Sequence, residues 1–439
     1  MSYSRFYNQM PDGTIKQLNP FTGTEVWSVP GRGNKPITNE IPKTAKHLEK
    51  HDPEDYCSFC ESKYFETPPE KSRIVKENGE YTKLEGLTAE ECTATKAEFR
   101  RVPNLFEIVS LDYWRKNYDF KLVSAKQEWK NKYLSTPKGM EHVLNIINTK
   151  LKLLGRTDEE IHKISIDEKI KMSDNFFGGG HELIITRKHY RDGAQWDAEH
   201  LSSGDLTPDE HYMYMKFTIE SKDDIYRSNR YVRYVSVFQN WLGPAGASFD
   251  HLHKQLVALD EWGNTITDQT EMIRKDRNVF NTFSANLAGM LNLVVAENDY
   301  ALAYSGIGHR FPTIEIYSKS KGSRPTTHSD EEVRGMSDLV QAIHAATGSQ
   351  ISCNEEWYYT PIDSIYKMPW HVLVKWRMNV PAGFEGGTRI YINPVSPLNL
   401  RDKIVPRLYQ LRAEGKIVSN IRVAEECKIV PNPLKYYRS

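Results

Sequence analysis

Three side chains able to do phosphoryl chemistry fall at every second position of one short run. They are His251, His253 and Gln255 in Ser248-Phe249-Asp250-His251-Leu252-His253-Lys254-Gln255-Leu256-Val257. The run reads as a β-strand, and alternate strand residues face the same side of a sheet. Two imidazoles and an amide then line one surface. Directly before them lies Gly243-Pro244-Ala245-Gly246-Ala247, a loop whose backbone N–H groups can hold phosphate. A nucleophilic His on a rigid strand, an oriented neighbour and an anion-holding loop would make a group-transfer site. The same spacing also fits an exposed polar strand face, and a short motif alone does not separate the two.

Cysteines supply a second candidate. Cys57 and Cys60 form a Cys-x-x-Cys pair. The pair is half of a tetrahedral zinc site, which requires two further N or S ligands, or it is an incidental pair. A redox role fits less well, because no thioredoxin-like unit surrounds it. Five cysteines in 439 residues are not a disulfide framework. Cys92, Cys353 and Cys427 stand alone and read as small buried residues.

The elements that must position these groups can be read from periodicity and breakers. Residues 15–110 read as short strands and loops, with Val29-Pro30-Gly31-Arg32-Gly33-Asn34-Lys35-Pro36 an irregular loop carrying two cations. Residues 111–175 have helical spacing and many lysines, which predicts a helical insertion with a solvated face. Gly178-Gly179-Gly180 breaks the chain before a strand over 181–186. A helix over 207–222 starts at an N-cap, Thr207, with Pro208 at its first position. A strand over 232–238 leads into the Gly/Ala loop and the His-x-His-x-Gln run. The second half repeats this order more loosely. It has strands over 300–304 and 311–317, a helix from Ser329 to about Ala346, and strands over 356–359 and 370–376. The repeated strand–helix–strand–strand order suggests a duplication.

Composition narrows the class. The chain is 39% apolar and 26% charged with a net charge of zero, ordinary for a soluble globular enzyme. Without a basic excess, nucleic acid is not an expected partner. No run of about 18 apolar residues exists, so no membrane span is expected. Met1-Ser2-Tyr3-Ser4-Arg5 is followed by no apolar stretch of the secretory kind, and a cytoplasmic location is expected.

Taken in order along the chain, these pieces resemble the galactose-1-phosphate uridylyltransferase family of the histidine-triad superfamily. Glu25-Val26-Trp27-Ser28 running into Arg32 and Pro36 is similar to the family's entry strand. Cys57-Ser58-Phe59-Cys60 with Thr67-Pro68-Pro69-Glu70 is similar to its Cys-Pro-Phe-Cys…Thr-Pro-Pro-Glu element. Arg101-Val102-Pro103-Asn104-Leu105-Phe106 resembles its Phe-Pro-Asn element. Asn240, the Gly/Ala loop, Ser248, His251, His253 and Gln255 match its Asn…Gly…Ser-x-x-His-x-His-x-Gln block.

The resemblance implies an α+β fold of two histidine-triad-like repeats, residues 1–270 and 271–439. Each would be an antiparallel sheet packed with helices, with the helical insertion at about 111–175 inside the first. It implies a homodimer. It implies a structural Zn²⁺ held by Cys57, Cys60, His189 and His251, with His181 and His200 as possible substitutes. His253 is implied as the nucleophile, the His251 carbonyl as acceptor for its other ring proton, and Gln255 as a neutral partner of the phosphoryl oxygens. Arg32, Asn104, Asn240, Gly246 and Ser248 are implied as substrate contacts.

The implied activity is transfer of a nucleoside monophosphate from a nucleotide sugar to a phosphorylated acceptor through a nucleotidyl-His. A phosphorylase acting on a diadenosine polyphosphate or ADP-sugar with inorganic phosphate is the alternative. A zinc-stabilised nucleotide-binding scaffold is the non-enzymatic one. Two departures stand out. Leu373 and Lys375 occupy the second repeat's His-x-His positions, and Asn393 occupies the position of the hexose-reading Glu. A second metal site is therefore not expected, and galactose is not the expected acceptor.

Overall fold

Period-two runs of β-branched and aromatic residues assemble twelve strands into one sheet. From edge to edge the order is Arg422–Val423, Val294–Glu297, Ala301–Ser305, Thr313–Ser318, His371–Trp376, Cys353–Tyr358, Tyr234–Trp241, His253–Leu259, His181–Thr186, Ala97–Pro103, Ser72–Glu77 and Glu80–Glu85. Every pairing is antiparallel. The computed structural model describes residues 3–32, 40–49, 54–378 and 381–437. Gly33, Asn34, Lys35 and Pro36 of the cation-bearing loop lie outside the described residues.

Helices Pro208–Ser228 and Asp330–Thr347 pack on each other and on one face of the sheet. Both start at a capping box, Thr207 with Glu210 and Ser329 with Glu332, so their first N–H groups are satisfied locally. The architecture is α+β, as the sequence implies. A separate four-stranded sheet pairs Tyr7–Gln9, Ile15–Leu18 and Glu25–Ser28 antiparallel, then adds Ile390–Ile392 in parallel.

Pairing of Cys353–Tyr358 with Tyr234–Trp241 joins the two halves of the large sheet. Beneath it, on the helix-covered face, Lys254 Nζ meets Glu355 Oε1 at 2.5 Å with neither side chain exposed. His344 Nε2 and Trp357 Nε1 complete the Glu355 carboxylate at 2.8 and 2.6 Å. Two more buried carboxylates sit further along. Glu70 is held by Arg73 and Arg100 at 2.5 and 2.7 Å, and Glu182 by Arg101 and by Lys71 at 2.6 Å. A buried carboxylate with two cationic donors keeps its charge satisfied, so the Thr-Pro-Pro-Glu element ends in an internal anchor.

The predicted insertion is helical: Leu111–Tyr118, Ser124–Leu134, Pro137–Leu153, Asp158–Lys163, Ile166–Met172 and Asp174–Gly178. It has its own apolar core of Trp129, Tyr133, Val143, Ile146, Ile147, Phe176 and Phe177. Its lysines are not one solvated face, because Lys130 is buried against Asp174 at 2.5 Å and the Ile170 carbonyl at 3.1 Å.

Candidate active site and metal centre

The His-x-His-x-Gln run enters the sheet later than its spacing predicts. The strand begins at His253, which pairs with Ile185; His251 lies just before it. The cause is local. Thr186 N–H and Oγ1–H both donate to the Leu252 carbonyl, at 3.1 and 3.2 Å, pinning the entry residue.

The two imidazoles are fixed in opposite tautomers. His251 Nε2 donates to the Thr186 carbonyl at 2.6 Å, which leaves the Nδ1 lone pair free. His253 Nδ1 donates to the His251 carbonyl at 2.7 Å, which leaves Nε2 bare. Burial pushes the His253 imidazole down to about 4, and the nearby His251 and His181 rings add to this, so it is neutral at pH 7. Phe59, from the Cys-x-x-Cys loop, packs edge-on against this ring, with centroids 5.3 Å apart. The half-exposed Phe249 packs on Phe59 in turn, at 4.3 Å.

The free Nδ1 of His251 faces two thiols, Cys57 Sγ at 3.5 Å and Cys60 Sγ at 3.8 Å. His189 Nδ1 approaches the same sulfurs at 3.3 and 4.0 Å. The four ligand atoms lie within 4.8 Å of one another. Zn–S and Zn–N bonds of about 2.3 and 2.0 Å in a tetrahedron place ligand atoms roughly 3.5–3.8 Å apart. The four sulfur–nitrogen separations, 3.3–4.0 Å, bracket that range, and the donor set fits a closed site for a metal ion. Backbone N–H groups of Tyr56 and Cys57 donate to Cys60 Sγ at 3.2 and 3.4 Å. The bond from the Cys57 thiol, helped by the two imidazoles, favours the thiolate of Cys60. His200 packs on His189 with centroids 5.2 Å apart and stacks on Tyr190, outside this set of four.

His181 sits elsewhere, beside Gln255. Ile108 N–H donates to His181 Nδ1 at 3.1 Å, so Nε2 carries the ring proton. That nitrogen lies 3.1 Å from Gln255 Oε1 and donates to it. Burial pushes the His181 imidazole down and keeps it neutral. With its oxygen engaged, Gln255 presents its amide N–H groups as donors. Just before His181, Gly179 and Gly180 are packed too closely for a side chain; a Cβ there would fall 2.1 Å from Glu107 Oε1 and 2.7 Å from the Ala258 side chain. Sequence reasoning weighed His181 only as a spare metal ligand.

Asn104 lies against the same ring, with Nδ2 3.1 Å from His181 Nε2 and Oδ1 accepting from Phe106 N–H at 2.9 Å. On the other side of the His253 strand, Asn240 Nδ2 donates to the Gly246 carbonyl at 3.4 Å, tying the Gly/Ala loop to the sheet. Gly246 has φ +88°, a left-handed conformation that disfavours other residues. Gly243 has no such constraint and faces open space. Ser248 is exposed at the end of that loop. Arg32 is not on the large sheet; it is exposed in the turn after Glu25–Ser28, close enough to Glu385 to favour that carboxylate's charge. Leu373 and Lys375 occupy the second half's corresponding strand, and Lys375 pairs with Glu356 at 2.6 Å. Asn393 is buried, capping Val395 N–H at 3.0 Å and donating to the His309 carbonyl at 3.3 Å.

Residues 10–436 match the family model described as "Domain of unknown function (DUF4921)". No curated protein matches the chain. Among solved structures, an ADP-glucose phosphorylase from Arabidopsis thaliana with bound ADP-glucose is similar at a TM-score of 0.57 and 16% identity, over 89% of this chain and 97% of that one. A GalT-like protein from the same plant is similar at 0.54 and 16%, over 89% and 98%. The chain therefore shares the fold of these two proteins.

Proposed function

The chain belongs to the DUF4921 family, a domain of unknown function, and from that premise we propose that it is a nucleotidyltransferase working through His253. A nucleoside monophosphate passes from a nucleotide sugar to a phosphorylated acceptor, such as a sugar 1-phosphate. One observation carries this reading: His253 is held neutral, with Nδ1–H on the His251 carbonyl and Nε2 bare. The Nε2 lone pair attacks the α-phosphorus. An N–P bond forms, and the bond from that phosphorus to the bridging oxygen breaks with both electrons going to the departing sugar phosphate. The acceptor phosphate oxygen then attacks the same phosphorus, the P–N bond breaks, and its electrons return to Nε2. Splitting one displacement into two supplies the catalysis; the Gly/Ala loop adds little through its backbone, because the N–H groups of Ala245, Gly246 and Ala247 already donate to Leu242 and Gly243 carbonyls within the turn.

Gln255, oriented by His181, donates to the phosphoryl oxygens without giving the leaving group a proton. That supports an intermediate that survives until an acceptor arrives. Asn104, Asn240, Gly246 and Ser248 are proposed contacts to donor phosphate or ribose, and Arg32 to the acceptor phosphate. Zn²⁺ is the proposed occupant of Cys57, Cys60, His189 and His251, where it would hold the Cys-x-x-Cys loop, and hence Phe59, against His253. A second reading, a phosphorylase using inorganic phosphate on an ADP-sugar, is supported by the likeness to the ADP-glucose phosphorylase along nearly all of that chain.

Intact-mass measurement tests both. The protein and His253→Ala are incubated with UDP-glucose, ADP-glucose, GDP-mannose or diadenosine tetraphosphate, without acceptor. An acid-labile gain of one nucleoside monophosphate is expected, absent in the variant. Discharge of that adduct by glucose 1-phosphate or by inorganic phosphate separates the two enzymes. Tight nucleotide binding with no adduct from any donor would favour a zinc-stabilised scaffold and remove the transferase reading.

A further inference from the structure

Strand register places the second half's polar side chains in line with His253. Phe238 pairs with Gln255, so Asn240, two residues on, lies opposite His253. Asn240 pairs with Asn354, and Asn354 with Lys375. At about 4.8 Å per strand, the row runs roughly 14 Å from His253 to Lys375. Two adjoining cavities of about 450 and 440 Å³ lie along it. The first reaches from Asn240 to Arg377 and the second from Arg377 to Lys375 and His309, with Asn354, Glu356 and Arg377 lining both.

Most charges along this groove are matched internally. Lys375 pairs with Glu356 at 2.6 Å, and His309 with Glu315 at 2.8 Å, whose other oxygen accepts from Tyr304 and Tyr317. Arg377 differs. Its Nη1 donates to Asn354 Oδ1 at 2.8 Å, and its guanidinium lies 4.5 Å from the Phe311 ring centroid. Its Nε is buried with no hydrogen-bond partner, and among the described residues no carboxylate is bonded to it. Burying part of a cation without an anion is costly, and the aromatic ring and Asn354 hold the fork in one orientation. Asn354 passes that orientation on, donating to Asn240 Oδ1 at 2.8 Å and to the Ala245 carbonyl at 2.9 Å in the Gly/Ala loop.

We propose that Arg377 forms an anion subsite for an acidic group, a phosphate or a carboxylate, carried by the part of the substrate beyond the phosphorus held at His253. This rests on the reading of His253 given above. Affinity for an acidic distal group would account for a chain whose hexose-reading position holds Asn393 turned into the fold.

The test is equilibrium binding by calorimetry on the full chain carrying His253→Asn, which prevents turnover. Two ligand pairs are compared: UDP-glucose with UDP-glucuronate for a carboxylate, and ADP with adenosine 5′-tetraphosphate for a phosphate. In at least one pair the acidic member is expected to bind ten-fold or more tighter. Adding Arg377→Gln is expected to shrink that preference below two-fold while the neutral or shorter member changes less than three-fold. Arg377→Lys, which keeps the charge but not the fork, should retain part of it and serves if the Gln variant does not fold by circular dichroism. No preference in either pair, or a preference untouched by both substitutions, overturns the subsite. An acid-labile adduct on the His253 chain without any such preference overturns the subsite alone and leaves the nucleotidyl-His reading standing. A preference that vanishes with Arg377 supports the subsite even where no adduct forms.

Discussion

An imidazole offers one lone pair at a time, and this chain assigns it oppositely at two histidines two residues apart. The Thr186 carbonyl accepts from His251 Nε2–H and frees Nδ1 toward the thiols; the His251 carbonyl accepts from His253 Nδ1–H and frees Nε2. Period-two spacing made both residues visible in the sequence, and the Cys-x-x-Cys pair was equally visible. The bond between His181 and Gln255 was not, because the partners are 74 positions apart and the tautomer depends on the backbone N–H of Ile108. Two outcomes follow at this scale. Elemental analysis of the purified protein should find one zinc per chain, and Cys60→Ser should lose it with a fall in melting temperature, since metal affinity is folding free energy. Replacing His181 with Phe frees the Gln255 amide to turn its oxygen toward the phosphate. Adduct formation should slow about ten- to a hundredfold, the scale of losing an orienting partner, while zinc content is unchanged. An unaltered rate would show that Gln255 needs no orientation from His181.

At the scale of elements, helices were legible where they carry their own caps, as at Thr207 with Pro208 and at Ser329. The strand start at His253 was not legible, because Thr186, on a different strand, decides it. Nor was the attachment of the insertion. His142, inside Pro137–Leu153, accepts from Tyr133 Oη–H at 2.7 Å and donates from Nε2 to the Thr67 carbonyl at 2.8 Å. The insertion is thus tied to the segment that leads to Glu70. Burial pushes the His142 imidazole down to about 4, against the Thr67 bond that favours its proton. The unfolded chain has a His pKa of about 6.5 and binds the proton first, so stability is full above that pH and falls as pH drops toward 4. The shift corresponds to roughly 3 kcal/mol at most. Denaturant midpoints at pH 7.5 and 4.5 should differ less in His142→Gln than in the native protein; an equal difference would assign the acid sensitivity to other groups.

For the whole molecule, sequence order suggested two similar halves, and we propose the division near residue 270 as an ancestral boundary. What the sequence could not convey is that one twelve-stranded sheet and one apolar core run through both. Strand pairing between distant segments leaves no local trace, and Cys353–Tyr358 meets Tyr234–Trp241 only in three dimensions. At that seam the Lys254–Glu355 pair, fully buried, links a strand of each half, next to His253 in sequence but on the opposite face. Burial resists ionisation of Glu355, yet Lys254 and His344 together hold its carboxyl well below the usual range. Lys254→Met keeps the volume and removes the lysine cation, leaving the buried carboxylate with only His344 and Trp357 as side-chain donors. The expected cost is about 3–5 kcal/mol, whereas replacing both partners by Met and Leu should cost much less, because no charge is then stranded. Because the seam is shared, calorimetry should show the single variant unfolding in one transition at lower temperature. Two separated transitions would mean that the halves fold independently and that the seam contributes little to either.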